Sequence, residues 1–274
     1  MAKIDRTKVR KAFDRGSCRY EETVIVQKLV VDRILSSLEE AALQPSPRRI
    51  LDVGAGTGMF LRSVRKLYPQ AFLAGLDLAP GMGTAAIGSR QTEGDFLYVE
   101  GDAENLPFAD GTFDLVVSTS TFQWLTELEK AFSEVMRVLV PGGVFLFALF
   151  GEGTLYELRN SYRKALIAEN LSDKDRFHHF FTRDEVALAL QQTGYRAITV
   201  ENSVEREYYP DVPCFLRSLK GIGAATATDA SFSSVGLGGR RIIMKMIEVY
   251  QRDFSAEGGI PASYQVLYGK GRKV

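Results

Sequence analysis

Cysteine is scarce in this chain: Cys18 and Cys214 are the only two, far apart and in no CxxC pair. That excludes a disulfide framework and a zinc ribbon, and it fits a reducing cytoplasm. Long apolar runs are missing too. The longest, residues 144–150, has seven residues, whereas a transmembrane helix needs about 20. Net charge is absent, since 34 Lys plus Arg offset 34 Asp plus Glu. A surface given over to nucleic acid or anionic membrane is therefore not expected. The first thirteen residues are basic and polar with no apolar stretch, so no secretory signal is expected. Histidine occurs only as the pair His178-His179. Adjacent residues on a helix or strand do not both face one ion, so no metal site is expected. There is no repeat and no low-complexity tract.

With 274 residues, the chain is long enough for one large domain or one domain with a sizeable insertion. Five apolar stretches read as strands, at 49–53, 72–77, 96–100, 113–118 and 144–150. The segments between them read as helices, at 58–68, 81–89 and 125–139, the last closed by Leu139-Val140-Pro141-Gly142-Gly143. Near-continuous apolar strands alternating with helices imply a mostly parallel α/β sheet covered on both faces. A helix is expected over 21–40, behind a basic leader at 1–15 that carries net +4. Further helices are expected at 153–169 and 182–193, a long strand at 195–209 and a short final strand at 261–268. Between those two strands, 210–259 is too long for a loop and reads as a helical insertion that caps the core. The organisation expected is 1–47 as lid and helix, 48–209 as core, 210–259 as cap and 260–274 as last strand.

The chemistry concentrates in Asp52-Val53-Gly54-Ala55-Gly56-Thr57-Gly58, where a strand enters a glycine-rich turn that opens a helix. Glycine lets the backbone reach unusual φ and approach a ligand closely. Ligands of open parallel sheets bind beyond the carboxyl ends of the strands, where this turn lies. The dinucleotide fingerprint GxGxxG would need glycine at position 59, which is Met59. The pattern here is DxGxGxG. An acid two residues ahead of the first glycine would repel a pyrophosphate and attract an ammonium. A cofactor with a cationic amino-acid end, such as S-adenosylmethionine, fits this better than a nicotinamide dinucleotide. Asp77 ends the second strand, where a carboxylate can accept both ribose hydroxyls. Asp102 follows the third strand and could accept from an adenine amino group, with the Ala103 amide donating to the ring. Taken singly, each acid also reads as a helix cap or a solvated turn.

The set LDVGAGTG, LDLAP, GDAENLPFADGTFD and LVPGG over residues 48–150 resembles the class I S-adenosylmethionine-dependent methyltransferases. More narrowly, the chain is similar to the malonyl-acyl-carrier-protein O-methyltransferases of biotin synthesis. That likeness rests on Phe13-Asp14-Arg15 with Tyr20 and Gln27, on Phe122-Gln123-Trp124, on the run from Leu216 to Ala224, and on Pro261 to Val266. The chain departs from that pattern in Gly16-Ser17-Cys18-Arg19 ahead of Tyr20 and in Glu21 after it. The resemblance implies a Rossmann-like, mostly parallel seven-stranded sheet. It implies S-adenosylmethionine as cofactor, S-adenosylhomocysteine as product, and malonyl-acyl carrier protein (or malonyl-coenzyme A) as substrate. It implies cofactor contacts from Asp52, Gly54, Ala55, Gly56, Gly58, Asp77, Leu78, Met82, Asp102, Ala103 and Ser118.

If the acceptor is a malonyl carboxylate, no general base is needed, because a group with pKa about 4 is already ionised. The residues expected at the acceptor are Tyr20 on an N-terminal lid, Gln123 and Trp124 after the fourth strand, and Arg217 and Lys220 on one face of a helix. One cation with hydroxyl and amide donors is expected to locate the carboxylate. Tyr20 and Trp124 also read as packing aromatics, and Arg217 and Lys220 as solvated charges. The clusters Arg240-Arg241-Lys245 and Lys3/Arg6/Lys8/Arg10/Lys11 read as candidate docking sites for an acidic carrier. A methyltransferase acting on a quinone carbon or another small acceptor is the alternative reading.

Overall fold

The computed structural model describes residues 5–88, 96–171, 178–221 and 237–274. Its centre is one seven-stranded sheet in the order β3-β2-β1-β4-β5-β7-β6. The strands are β1 (Arg49–Val53), β2 (Phe72–Asp77), β3 (Leu97–Glu100), β4 (Phe113–Thr119), β5 (Leu139–Phe150), β6 (Arg196–Tyr209) and β7 (Ile260–Arg272). The first five pair in parallel, and β7 runs antiparallel to both β5 and β6.

Side chains alternate across a strand, so each strand feeds two cores. Ile50, Leu73, Leu115, Val117 and Leu146 enter one buried cluster. Leu51, Val53, Leu76, Val116 and Phe145 enter the other. Both faces are therefore apolar, as a parallel sheet requires. The strand order reverses between β1 and β4, which opens a crevice at their carboxyl ends.

The helices are α1 (Arg6–Gly16), α2 (Tyr20–Thr23), α3 (Val26–Ala41), α4 (Met59–Leu67), α5 (Pro80–Gly88), α6 (Leu128–Val138), α7 (Tyr156–Ala168), α8 (Arg183–Gln192), α9 (Val212–Gly221) and α10 (Leu237–Phe254). Four local expectations change. The leader is not a free basic segment: it forms α1, capped by Asp5, whose carboxylate accepts from the amides of Thr7 and Lys8. The single helix expected over 21–40 breaks at Val24, where the backbone is extended (φ −91°, ψ 126°). The helix expected to close at Leu139 does so, α6 ending at Val138 with Leu139 as its cap, but Leu139 to Gly143 are not a turn. They begin β5, because the Gly142 amide donates to the Lys273 carbonyl and Lys273 donates back to Gly143. That contact joins positions about half the chain apart, which local punctuation does not register. For the same reason β7 runs to Arg272, well beyond 268.

Helices α9 and α10 fall between β6 and β7. Their buried Val212, Phe215, Leu219, Met246 and Tyr250 share one cluster with the face of the sheet that packs α3. The stretch between them, including Ile222 to Ala224 of the family likeness, lies outside the described residues. No described helix is long and apolar enough to cross a membrane.

Candidate active site

The turn after β1 holds Gly54, Gly56 and Gly58 at φ +78°, +54° and +82°. Only glycine takes this left-handed region without strain. At Gly54 a side chain is also blocked by space: a Cβ would lie 2.0 Å from the Thr121 hydroxyl oxygen. At Gly56 a Cβ would meet nothing within 4 Å, so the backbone there faces open space. The Gly54 and Ala55 amides donate to the Leu76 carbonyl (2.7 and 2.9 Å), which locks the turn to the end of β2.

Asp77, at that end, accepts from the Gly56 amide (2.9 Å) and the Ala79 amide (2.8 Å). Burial pushes its carboxyl up, and these amide bonds pull back only in part. The Tyr98 phenol donates to the Gly56 carbonyl at 2.8 Å. Asp52 is 1% exposed and its Oδ1 meets no hydrogen-bond partner. Burial, then the nearby Asp77, pushes its carboxyl up to about 8. Two carboxyls in low dielectric disfavour ionisation of one another.

A cavity open to solvent lies over this turn, lined by Gly54, Gly56, Asp77, Leu78, Met82 and Ala103 from the sheet side. Its other wall is the amino-terminal segment, with Arg6, Arg10, Phe13 and Tyr20. This wall is held down by charge. Arg6 donates to Asp102 (2.6 Å) and to Glu104. Arg10 pairs with Glu100, and the Gly81 amide donates to Asp14. Glu21 accepts from the Thr57 hydroxyl and from Arg62. Burial raises the Asp102 carboxyl, but the hydrogen bonds from Arg6 and the Glu104 amide outweigh it and hold the group below its ordinary range.

A second cavity adjoins the first. Phe13, Tyr20, Ser120 and Trp124 line both. Gln27, Gln123, Thr154, Leu219 and Tyr264 are among the residues that complete it, and no charged side chain is among its described lining. The expected cation is therefore missing from this wall. Arg217 and Lys220 are exposed and line neither cavity, and the Arg217 guanidinium contacts Cys214 Sγ at 2.9 Å. Of the described residues of α9, Leu219 alone lines a cavity, and with the buried Val212 and Phe215 it forms the helix's inward, apolar face.

Other expectations resolve one by one. Ser118 does not line the cavities: its buried hydroxyl donates to the Val53 carbonyl at 2.7 Å and ties β4 to β1. Asp52, Ala55 and Gly58 lie behind the turn, outside the cavity lining, and Asp102 turns its Oδ1 to Arg6. Arg6 and Arg10, read as docking charges, are engaged by acids of the β3 end. Lys3 lies outside the described residues. Arg241 pairs with Glu169 and Lys245 with Glu248.

His178 is the residue that sequence reasoning set aside too soon. It is 8% exposed, its Nε2 sits 2.5 Å from the Gln123 carbonyl oxygen, and its ring stacks on Trp124 at 5.8 Å. Burial lowers its pKa, so the neutral ring donates to that carbonyl. The signal was available as a histidine in an aromatic run, His178-His179-Phe180-Phe181, but not its partner 55 residues away. His178→Ala is expected to lower kcat about tenfold by loosening the Gln123–Trp124 turn, with cofactor affinity unchanged. Equal kcat in steady-state assays would remove that role.

The fold now has counterparts among known proteins. A family model described as a methyltransferase domain matches residues 51–147. The malonyl-[acyl-carrier protein] O-methyltransferase of Geobacter sulfurreducens is 49% identical over 270 residues, covering 98% of this chain and 100% of that protein. The enzyme of the same name from Nitrosospira multiformis is 33% identical, covering 97% of this chain and 88% of that one. Among solved structures, the YcgJ protein of Bacillus subtilis matches with a TM-score of 0.59 at 20% identity, covering 88% of this chain and 98% of that one. Phosphoethanolamine N-methyltransferase 2 of Haemonchus contortus, in complex with S-adenosyl-L-methionine, matches at 0.55 and 21% identity, covering 88% of this chain and 52% of that one. These two likenesses speak to the fold. Near-complete alignment at about half identity speaks to more: the chain belongs to the malonyl-[acyl-carrier protein] O-methyltransferase family.

Proposed function

We propose that this chain methylates the free carboxylate of malonyl-acyl carrier protein, with S-adenosylmethionine as donor. The product is the malonyl methyl ester from which pimeloyl synthesis for biotin begins. The observation that carries this is the pair of adjoining cavities, one floored by Asp77 and glycines, the other uncharged, sharing Phe13, Tyr20, Ser120 and Trp124.

The first cavity suits the cofactor. Gly56 leaves open space where a side chain would stand, and Asp52 keeps a buried carboxylate oxygen without a partner. Gly54 and Gly56 would let the backbone approach the amino-acid end, and Asp52 would set a negative field there. Asp77 would receive the ribose hydroxyls, and Leu78, Met82 and Ala103 would flank the adenosine. Bound, S-adenosylmethionine supplies a methyl carbon on a cationic sulfur.

The chain's own task is positioning and exclusion of water. An ionised acceptor needs no proton removed. Its attack on a cation annihilates charge, which a low-dielectric wall favours over water. Phe13, Trp124, Phe150 and Phe180 supply that wall. Burial, then Asp77 and Glu21, push the Tyr20 phenol far above its ordinary pKa, so it stays a donor at any working pH. Carbon methylation would need a base beside the acceptor, and the described lining of the second cavity offers none.

In this reading residues 1–47 act as lid and 210–259 as cap, and the reaction takes place in the cytoplasm. The test is purified protein with labelled S-adenosylmethionine and malonyl-acyl carrier protein. Label in a base-labile ester is expected, and cofactor binding without transfer would overturn the reading. Exposed Arg240 and Arg241 on α10 remain candidates for docking the acidic carrier. Reversing both to Glu is expected to raise KM for carrier-bound substrate several-fold, more at low salt. An equal rise for a small malonyl thioester would remove docking there.

A further inference from the structure

Between the two cavities stands a serine held in a costly conformation. Ser120 follows β4 with φ +57°, a left-handed backbone that L side chains adopt only at a cost. Its position is fixed from both sides. Its amide donates to the Ala148 carbonyl at 2.8 Å, and its own carbonyl accepts from Gln123 Nε2 at 2.6 Å. Its hydroxyl is buried and meets no partner. A buried polar group left unpaired is unfavourable. Glycine at this position would relieve both penalties.

The neighbouring hydroxyls differ. Ser118 donates to Val53, and Thr121 lies 3.4 Å from the Gly54 carbonyl. In the second cavity, Thr154 donates to the Gln265 carbonyl at 3.1 Å and Gln123 to Ser120. Tyr264 stands close to Tyr209, whose hydroxyl donates to Glu207. Ser120, with Tyr20 and Gln27, is left to face whatever enters. On the reading above an anion enters, and no charged side chain of the described lining meets it.

We propose that the Ser120 hydroxyl donates to the acceptor carboxylate at the junction of the two cavities and thereby selects an anionic acceptor. A neutral donor suits this step. It orients the carboxylate without the strong ground-state hold of a fixed cation, which would blunt the nucleophile. To reach the acceptor the buried hydroxyl must turn toward the shared wall, a rotation about χ1. The inference rests on the proposed function and adds a substrate-binding residue to it.

The test compares Ser120→Ala and Ser120→Gly with the parent enzyme. Both variants are expected to lose about 10- to 100-fold in kcat/KM for malonyl-acyl carrier protein, the range for a hydrogen bond to a charged group. S-adenosylmethionine affinity by calorimetry is expected within about twofold of the parent, because the proposal directs this hydroxyl to the acceptor and not to the cofactor. Ser120→Gly is expected to melt no lower than the parent, because it relieves the left-handed strain, so its slow turnover cannot be ascribed to misfolding. Undiminished kcat/KM in Ser120→Gly overturns the proposal, as does a parallel loss of cofactor affinity in either variant. If the parent itself transfers no methyl to the malonyl thioester, the proposed function fails and this inference falls with it. Parent turnover with unimpaired variants overturns this inference alone.

Discussion

Asp52→Asn is expected to stabilise the ligand-free protein while weakening its hold on S-adenosylmethionine. The carboxyl is buried, its Oδ1 is unpartnered, and burial and Asp77 raise its pKa from 3.8 to about 8. A carboxyl whose pKa is higher folded than unfolded makes folding less favourable wherever the unfolded chain would release the proton. The penalty is absent below about pH 4, grows as pH rises, and is complete above about pH 8. Asparagine removes it. The variant is therefore expected to gain at least ~1 kcal/mol at pH 8, or ~2–4 °C in Tm, and little at pH 4. Thermal melts across that range check the sign, and a gain that shrinks with rising pH would refute it.

The same residue links binding to protons. Below about pH 8 the ligand-free Asp52 is largely protonated. A cationic amino-acid end placed nearby favours the ionised form. Binding of S-adenosylmethionine at pH 7 is thus expected to release up to one proton. Calorimetry in buffers of differing ionisation enthalpy reads that number. Asp52→Asn should release none and bind more weakly; matching proton release in both proteins would take Asp52 out of the site.

Asp77→Ala is expected to weaken S-adenosylmethionine binding by ~1–3 kcal/mol, about 10- to 100-fold in Kd. Two losses combine. The ribose hydroxyls lose an acceptor, and the Gly56 and Ala79 amides, which donate to Asp77 at 2.9 and 2.8 Å, are left without theirs. Asp77→Asn keeps one acceptor oxygen and is expected to fall between the two. Removing the charge also lowers the pKa of Asp52, for which Asp77 is the second cause after burial. Proton release on binding should therefore shrink in Asp77→Asn. Unchanged affinity in Asp77→Ala would remove Asp77 from the cofactor site.

The floor of the first cavity is legible in the sequence because its signals are local. Gly54, Gly56 and Gly58 are spaced within one turn, and all three take positive φ. Asp77 closes a six-residue apolar strand whose bounds the sequence marks to the residue. The amino-terminal wall is legible only in outline. Tyr20 was singled out, but Arg6 was read as a docking charge and is instead joined to Asp102 and Glu104. Nothing within a few residues of Arg6 announces a partner 96 positions away. Arg217 and Lys220 misled for a related reason. Spacing of i and i+3 places them on one face of α9, but does not say which face meets the cavity. Leu219 does, and the charges remain in solvent.

Two serines mark the division most sharply. Ser118 and Ser120 alternate on one strand end and look equivalent as letters. Pairing of β4 with β1 uses up the hydroxyl of Ser118, whereas the left-handed backbone at Ser120 leaves its hydroxyl unpaired beside both cavities. The sequence by itself determined the alternating strands, the glycine turn and the acids at the strand ends, because period and φ preference act over a few residues. The tertiary structure alone decided which arginines close the lid, which helix face turns inward and which hydroxyl is left to meet a ligand. Those outcomes depend on strand pairing and packing between segments tens of residues apart, where neighbouring letters carry no signal.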